Sequence, residues 1–388
     1  MITRYLEHAI RDDALADRKM AFVSGPRQVG KTTLGRSLIG GRENEFSWDD
    51  QRFRRAWVRD PVAAIAQKVE GPVLLDEIHK DRRWKSRLKG LYDLRGDRFG
   101  IVVTGSACDF FRRGGDSLMG RYIPYRLHPF SVGERVSPPS PDRALSEFVV
   151  AFPVRDLLVL GGFPEPLLAG SEAKAHRWSR LRVERLIHED LRDFRNVRDV
   201  QALRVLTDLL PDRVGSLLSM NSLREDVGVS YATVRDWVSI LETLYHCFLV
   251  RPYAGRLTRA LRAAPKLYLY DILQIESRAV RLENLVALHL LKACQYWTDL
   301  AYGQFDLRFL RTRDGLEVDF MVTRDRKPFL LVECKTGHTT PSPALAKFAA
   351  ELKTRHNYQV VDLPGHDRMY PEHGVRVLDV ERFLAGLV

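Results

Sequence analysis

Ser24-Gly25-Pro26-Arg27-Gln28-Val29-Gly30-Lys31-Thr32-Thr33 decides how this chain of 388 residues is read. The decapeptide fits GxxxxGK[ST] and stands where that pattern has a mechanism, after the apolar run Met20-Ala21-Phe22-Val23 and before the helical run Leu34 to Leu38. Two glycines let the backbone wrap closely around a phosphate, the loop N–H groups point inward, and the helix N-terminus adds its positive end. Gly25, Pro26, Arg27, Gln28, Val29, Gly30, Lys31, Thr32 and Thr33 are therefore the expected cradle of a nucleoside triphosphate. Lys31 would neutralise the β- and γ-phosphates and Thr32 would offer its hydroxyl to Mg²⁺.

Such a loop needs an acidic partner from a neighbouring strand. Val73-Leu74-Leu75-Asp76-Glu77 is an apolar run ending in two carboxylates. Asp76 is expected to hold Mg²⁺ and Glu77 to orient and polarise the attacking water. Ile101-Val102-Val103-Thr104-Gly105-Ser106 reads as a further core strand, where Thr104 or Ser106 either senses the γ-phosphate or is an ordinary turn residue. Ser117-Leu118-Met119-Gly120-Arg121 places an arginine after a glycine loop, so Arg121 is either an arginine finger or a surface charge.

Around these motifs the chain changes texture. Up to about Glu134, strand-like runs alternate with charged helical segments, the rhythm of a parallel α/β sheet. Ser137-Pro138-Pro139-Ser140-Pro141 suits neither helix nor central strand and reads as a linker. At roughly 150 residues per domain the length suits two or three domains. Apolar residues make up 45% and charged residues 29%, which excludes a disordered or fibrous chain. No uncharged apolar run approaches the ~20 residues that cross a bilayer, and the start, Met1-Ile2-Thr3-Arg4-Tyr5, lacks the pattern of a secretory signal. Cys108, Cys247, Cys294 and Cys334 are too scattered for a zinc site or disulfide framework, so the expected compartment is the reducing cytoplasm. Sixty-one Lys and Arg against 50 Asp and Glu leave a charge of +11, which favours a polyanionic partner without choosing one.

The middle stretch is helical and rich in arginine. Asn221 to Asp226, Gly228 and Ser230 to Trp237 read as helix, glycine turn and helix, with helical spacing continuing to Leu249. Gly228 is expected at positive φ and Ser230 as the N-cap; Val234, Trp237, Val238 and Leu241 share one face. Phe248-Leu249-Val250 and Lys266-Leu267-Tyr268-Leu269-Tyr270 would extend this helix-turn-helix to a winged helix. Tyr231, Thr233 and Arg235 would face outward, either to contact DNA or to leave the module a packing unit. Arg177, Arg180, Arg182, Arg185, Arg192, Arg195 and Arg198 are interleaved with Glu184, Glu189, Asp190 and Asp193, which favours a solvated, salt-bridged face over a phosphate-tracking one.

Near the C-terminus, Phe305 to Thr312 and Leu316 to Val322 read as strands joined through Arg313-Asp314-Gly315, and Pro328 to Lys335 as a third. Alternation puts Glu317 and Asp319 on one face, and Glu333 and Lys335 on one face. Asp, Glu and Lys on adjacent strands are what metal-dependent phosphodiester hydrolysis uses: the carboxylates hold Mg²⁺ or Mn²⁺ and the lysine positions water. Glu283, on a helix read over 281–294, would add a carboxylate, so the expected metal ligands are Glu283, Asp319 and Glu333. Spacing alone equally allows a chance set of strand acids. The order helix, three strands, helix (341–355), strand (358–363) tips the reading towards a restriction-endonuclease-like fold.

With these pieces in place, nearly the whole chain resembles AAA-type predicted ATPases of bacteria and archaea whose C-terminal domain of unknown function is related to PD-(D/E)xK nucleases. Gly25 to Thr32, Leu74 to Glu77, Thr104-Gly105-Ser106, Leu118 to Arg121 and Gly161-Gly162-Phe163-Pro164-Glu165 carry the resemblance, together with Pro265 to Tyr268, Glu283-Asn284, Glu317 to Phe320 and Glu333-Cys334-Lys335. It implies an AAA+ domain over 1–136, with Mg-ATP at Lys31, Thr32, Asp76 and Glu77. A helical and winged-helix domain over 142–278 and a nuclease-like α/β domain over 279–388 would follow. Val318 stands where the nuclease motif has proline. Two functions are expected from this pattern: an ATPase coupled to a DNA-engaging, metal-dependent nuclease, or an ATP-gated protein-interaction module with an idle nuclease-like domain. A homo-oligomer would be needed for Arg121 to act on a neighbour.

Overall fold

The computed structural model describes residues 2–66, 71–96, 98–105, 118–188, 199–253, 264–312 and 314–388. Ser106, Cys108, Ser117, Glu189, Asp190, Arg192, Asp193, Arg195, Arg198 and Arg313 lie outside the described residues. The contacts divide the chain into two units, Met1–Pro129 with Arg135–Ser137, and Phe130–Glu134 with Pro138–Val388. The boundary expected near residue 278 falls inside the second unit.

In the first unit, β1 (Met20–Ser24), β2 (Glu45–Ser47), β3 (Val73–Asp76), β4 (Ile101–Thr104) and β5 (Tyr122–Arg126) form a parallel sheet in the order β2-β3-β4-β1-β5. All five residues of β1 are buried, as expected for a central strand covered on both faces. Met20, Phe22, Leu75 and Val103 pack with Trp57 and Trp84 in one apolar cluster. Each such side chain contributes roughly 1.5–3 kcal/mol on burial. This order matters for function. Because all strands run one way, the segments after β1, β3 and β4 leave the same edge of the sheet, with β4 between the other two. Helix α1 (Lys31–Leu38) starts there, directly after Gly30, whose φ of 96° closes the loop.

The second unit holds an eight-stranded sheet in the order β12-β13-β11-β10-β9-β8-β6-β7, built from β6 (Cys247–Pro252), β7 (Lys266–Leu269), β8 (Phe305–Arg311), β9 (Glu317–Arg324), β10 (Lys327–Lys335), β11 (His356–Val361), β12 (Asp367–Tyr370) and β13 (Val375–Asp379). Before the sheet come α2 (Glu172–His188), α3 (Val200–Leu209), α4 (Met220–Val227) and α5 (Tyr231–Thr243). Gly228 ends α4 at φ 75°, Ser230 caps α5, and Val234, Trp237, Val238 and Leu241 form its buried face. Helix α5 stops at Thr243, short of the expected Leu249, because Tyr245 turns left-handed (φ 56°) and the chain enters β6. Strands β6 and β7 pair antiparallel, and β6 also joins β8, so the two wing-like strands extend the C-terminal sheet. Helix α6 (Arg278–Asp299) is longer than expected, and β12, β13 and a closing helix, Val380–Ala385, had no forecast. Helix α7 (Pro343–Leu352) connects β10 to its parallel neighbour β11.

Buried charge is paired in this unit. Lys292 on α6 lies 2.6 Å from Glu134, with side chains 2% and 1% exposed. Arg182, read as part of a solvated face, is instead buried; it donates to the Tyr245 carbonyl and covers the Phe163 ring at 4.7 Å. Its neighbours Arg177, Arg180 and Arg185 are exposed. No helix among the described residues is long and apolar enough to cross a membrane.

Candidate functional site

At the C-terminal edge of the first sheet, the Thr32 hydroxyl lies 3.2 Å from both carboxylate oxygens of Asp76, and the Thr104 hydroxyl donates to Asp76 Oδ1 at 2.5 Å. Residues 44 and 28 positions away in sequence from Asp76 thus meet on one carboxylate. Burial raises the Asp76 pKa, opposed by hydrogen bonding from Thr104; Glu77 adds to the rise while Thr32 and Lys31 oppose it. Thr104, expected either to sense the γ-phosphate or to be a turn residue, is fully buried and its hydroxyl donates to Asp76.

Lys31 is 8% exposed and donates to the carbonyls of Gly25 and Pro26 at 3.0 and 2.8 Å. These neutral acceptors hold the ammonium beside its own loop. Gly25 sits at φ 153°, and a Cβ there would lie 2.3 Å from the Leu127 carbonyl oxygen, so the position excludes any side chain. Gln28 (φ 62°) is left-handed as well, Val29 is fully buried, and Arg27, Gln28 and Thr33 are exposed. Glu77 adopts φ 57°, unusual for a side chain of its size, and its amide donates to the Thr104 carbonyl. That turn carries its carboxylate away from the strand, 3.5 Å from His79 and 3.6 Å from Lys80.

Arg4 had no forecast. It is 5% exposed and donates to the carbonyls of Val29 and His128, bracing the loop against the segment after β5. An isolated arginine near the N-terminus carries no local signal of this. Arg121, expected either as an arginine finger for a neighbouring chain or as a surface charge, lies far from the loop of its own chain. Its carbonyl accepts from Met20, and Met20 pairs with Tyr122, so Arg121 stands at the start of the sheet while the loop leaves the other end, roughly 13 Å away. Its guanidinium pairs with Asp93 at 2.7 and 3.1 Å.

Residues 17–136 match the family model described as "AAA domain". They resemble an AAA-type domain. Residues 152–272 and 281–383 match two models described as "Domain of unknown function". An uncharacterized protein of Mycobacterium tuberculosis is 23% identical over 365 residues, spanning 92% of this chain and 78% of that one. Another, of Methanocaldococcus jannaschii, is 23% identical over 290 residues, 64% of this chain and 60% of that one. Among solved structures, AMPPCP-bound DnaA from Aquifex aeolicus shares 15% identity at a TM-score of 0.31, covering 62% of this chain and 89% of its own. RuvB of Thermotoga maritima shares 17% at 0.27, covering 63% and 85%.

The second unit brings together the acidic residues expected there. The Asp319 amide faces Glu333 Oε2 at 3.3 Å, the Cys334 amide donates to Asp319 Oδ2 at 2.8 Å, and Lys335 lies 2.6 Å from Glu333. Glu283 accepts from the Tyr268 hydroxyl at 2.8 Å. A lysine stands beside two of the expected metal ligands, Glu283 and Asp319. Lys266 of β7 places its ammonium 2.5 Å from Glu317, 3.7 Å from Asp319 and 3.9 Å from Glu283. Among the described residues no group of three or more His, Cys, Asp or Glu is disposed to hold a metal ion. Burial opposes the Lys266 charge, but Glu283, Asp319 and Glu317 together raise its pKa above the ordinary lysine value. Burial, then the neighbouring Asp319, pushes the carboxyls of Glu283 and Glu333 up to about 7. The only sequence hint of Lys266 was strand alternation, which sets it on one face with Tyr268; its partners lie far along the chain.

Proposed function

We propose that the protein is an ATPase that binds Mg-ATP at the Gly25–Thr33 loop and uses the nucleotide state to control its second unit. The meeting of Thr32, Asp76 and Thr104 carries this reading, because a hydroxyl and a carboxylate oriented by a second hydroxyl suit a nucleotide-bound Mg²⁺. Thr32 and Asp76 would hold that ion, which neutralises charge on the phosphates when bound. Loop amides wrap the phosphates, and Lys31 exchanges its neutral carbonyl acceptors for phosphate oxygens, a gain because charge-assisted bonds are the stronger ones. Glu77 orients water and takes its proton as the new P–O bond forms, and ADP departs with the electron pair of the broken one. Lys31→Ala is expected to lower ATP turnover at least ~100-fold. Unchanged phosphate release from that variant would sink the assignment.

In the same reading, the second unit engages nucleic acid. Exposed Tyr231 and Arg235 on α5 support this. Affinity for a duplex oligonucleotide should then fall steeply with salt. The Lys266 geometry favours a second reading for the C-terminal strands, an idle nuclease-like body serving an ATP-gated interaction.

A further inference from the structure

The carboxylates around β7 present a charge problem that the chain solves internally. Glu283, Glu317, Asp319 and Glu333 converge from α6, β9 and β10, and Lys266 is 3% exposed among the first three. The other polar contacts of the cluster are also made. Glu283 accepts from Tyr268, Glu317 pairs with Arg311 at 2.8 Å, Asp319 accepts from the Cys334 amide, and Glu333 pairs with Lys335.

Lys266 is held in place by its backbone. Its strand pairs with β6 at Val250, and the side-chain amide of Asn284, next to Glu283 on α6, accepts from the Leu269 N–H at 2.7 Å and donates to the Leu269 carbonyl at 2.8 Å. The Lys266 ammonium lies over the Phe309 ring, with Nζ 5.6 Å from its centre. A lysine on a free loop could yield to Mg²⁺. This one would leave a buried ammonium against a divalent cation if it stayed, and an unpaired buried charge if it moved.

We infer that Lys266 is the resident cation of this cluster, standing in for the divalent metal so that the C-terminal domain binds none and works without phosphodiester hydrolysis. The inference rests on the second reading above and is independent of the ATPase assignment. Glu317 and Asp319 then serve as the counter-charge that locks β7 onto the sheet. The Glu283-Asn284 pair sets one residue facing the lysine and the next bonding its strand.

The test is Mn²⁺ binding, read by electron paramagnetic resonance of free Mn²⁺, on the nucleotide-free full-length chain carrying Lys31→Ala to keep the first unit silent. With Lys266 intact, adding Asp319→Asn is expected to leave the isotherm unchanged. Loss of a Mn²⁺ site on that substitution overturns the inference. Lys266→Met, which keeps the stem and removes the charge, is expected to gain one Mn²⁺ per chain, and Asp319→Asn in that background to abolish it. A folded Lys266→Met chain that gains no Mn²⁺ also overturns it. If Lys266→Met does not fold by circular dichroism, the isotherms with and without Asp319→Asn decide alone. ATP turnover of the chain with native Lys31 reports separately on the first unit, so failure of one reading is not failure of the other.

Discussion

Each unit sets a lysine beside carboxylates at strand ends, and the two lysines are held in opposite ways. Lys31 rests on two neutral carbonyls of its own loop, acceptors that a phosphate oxygen outcompetes, while Asp76 is shared by two hydroxyls. Lys266 is surrounded by Glu317, Asp319 and Glu283. The first arrangement suits the arrival of a polyanion with its metal; the second already contains its cation. Residue types do not distinguish the two sites. What separates them is the set of groups within reach of the ammonium: the loop carbonyls of Gly25 and Pro26 accept from Lys31, and three carboxylates surround Lys266.

The largest effect that can break this contrast is on Glu77. Glu77→Gln is expected to keep nucleotide affinity within a few-fold and to lower single-turnover hydrolysis by about 10²–10⁴, the contribution of a positioned base. An unchanged rate would remove the catalytic half of the comparison. Gly25→Ala comes next. Its Cβ would meet the Leu127 carbonyl at 2.3 Å, so the loop must shift, and ATP binding measured by calorimetry is expected to be lost.

A smaller, graded effect belongs to the second unit. Glu283 and Glu333 have folded-state pKa values raised to about 7 from 4.5, so protonation favours the folded state. Their stabilising contribution is complete below about pH 4.5 and is lost as pH rises through about 7. The melting temperature of the second unit should therefore carry a downward component between these values, and Glu283→Gln should flatten it. An identical pH profile in the variant would show that the carboxyl is not held protonated by its surroundings. The smallest effect is expected from Arg121→Ala, since the residue stands at the far end of the sheet from the loop and pairs with exposed Asp93. Thermal stability should not move measurably. A concentration-dependent fall in ATP turnover would instead place Arg121 in a neighbouring chain's site.

The strand–loop–helix around Gly25 and Gly30 was legible because its pattern is contiguous: two glycines, a lysine and a threonine within ten residues, between an apolar strand and a helix. Asp76 and Glu77 were legible for the same reason, as an apolar run ending in acid. The helix-turn-helix could be read from Gly228 and Ser230, since positive φ and capping are local properties. The acids of β9 and β10 could be placed on one face by alternation. None of these signals reached Arg4, whose two carbonyl partners lie 25 and 124 residues away.

By itself, then, the sequence determined the glycine loop after β1, the acids that end β3 and the strand faces of the C-terminal acids, because backbone conformation and side-chain alternation are set by neighbours in the chain. Only the tertiary structure decided that Thr104 serves Asp76, that Arg121 stands at the opposite edge from the loop, and that β7 inserts Lys266 among three carboxylates. Those outcomes depend on strand order and desolvation. Both arise when distant segments pack together, and neither is encoded in local spacing.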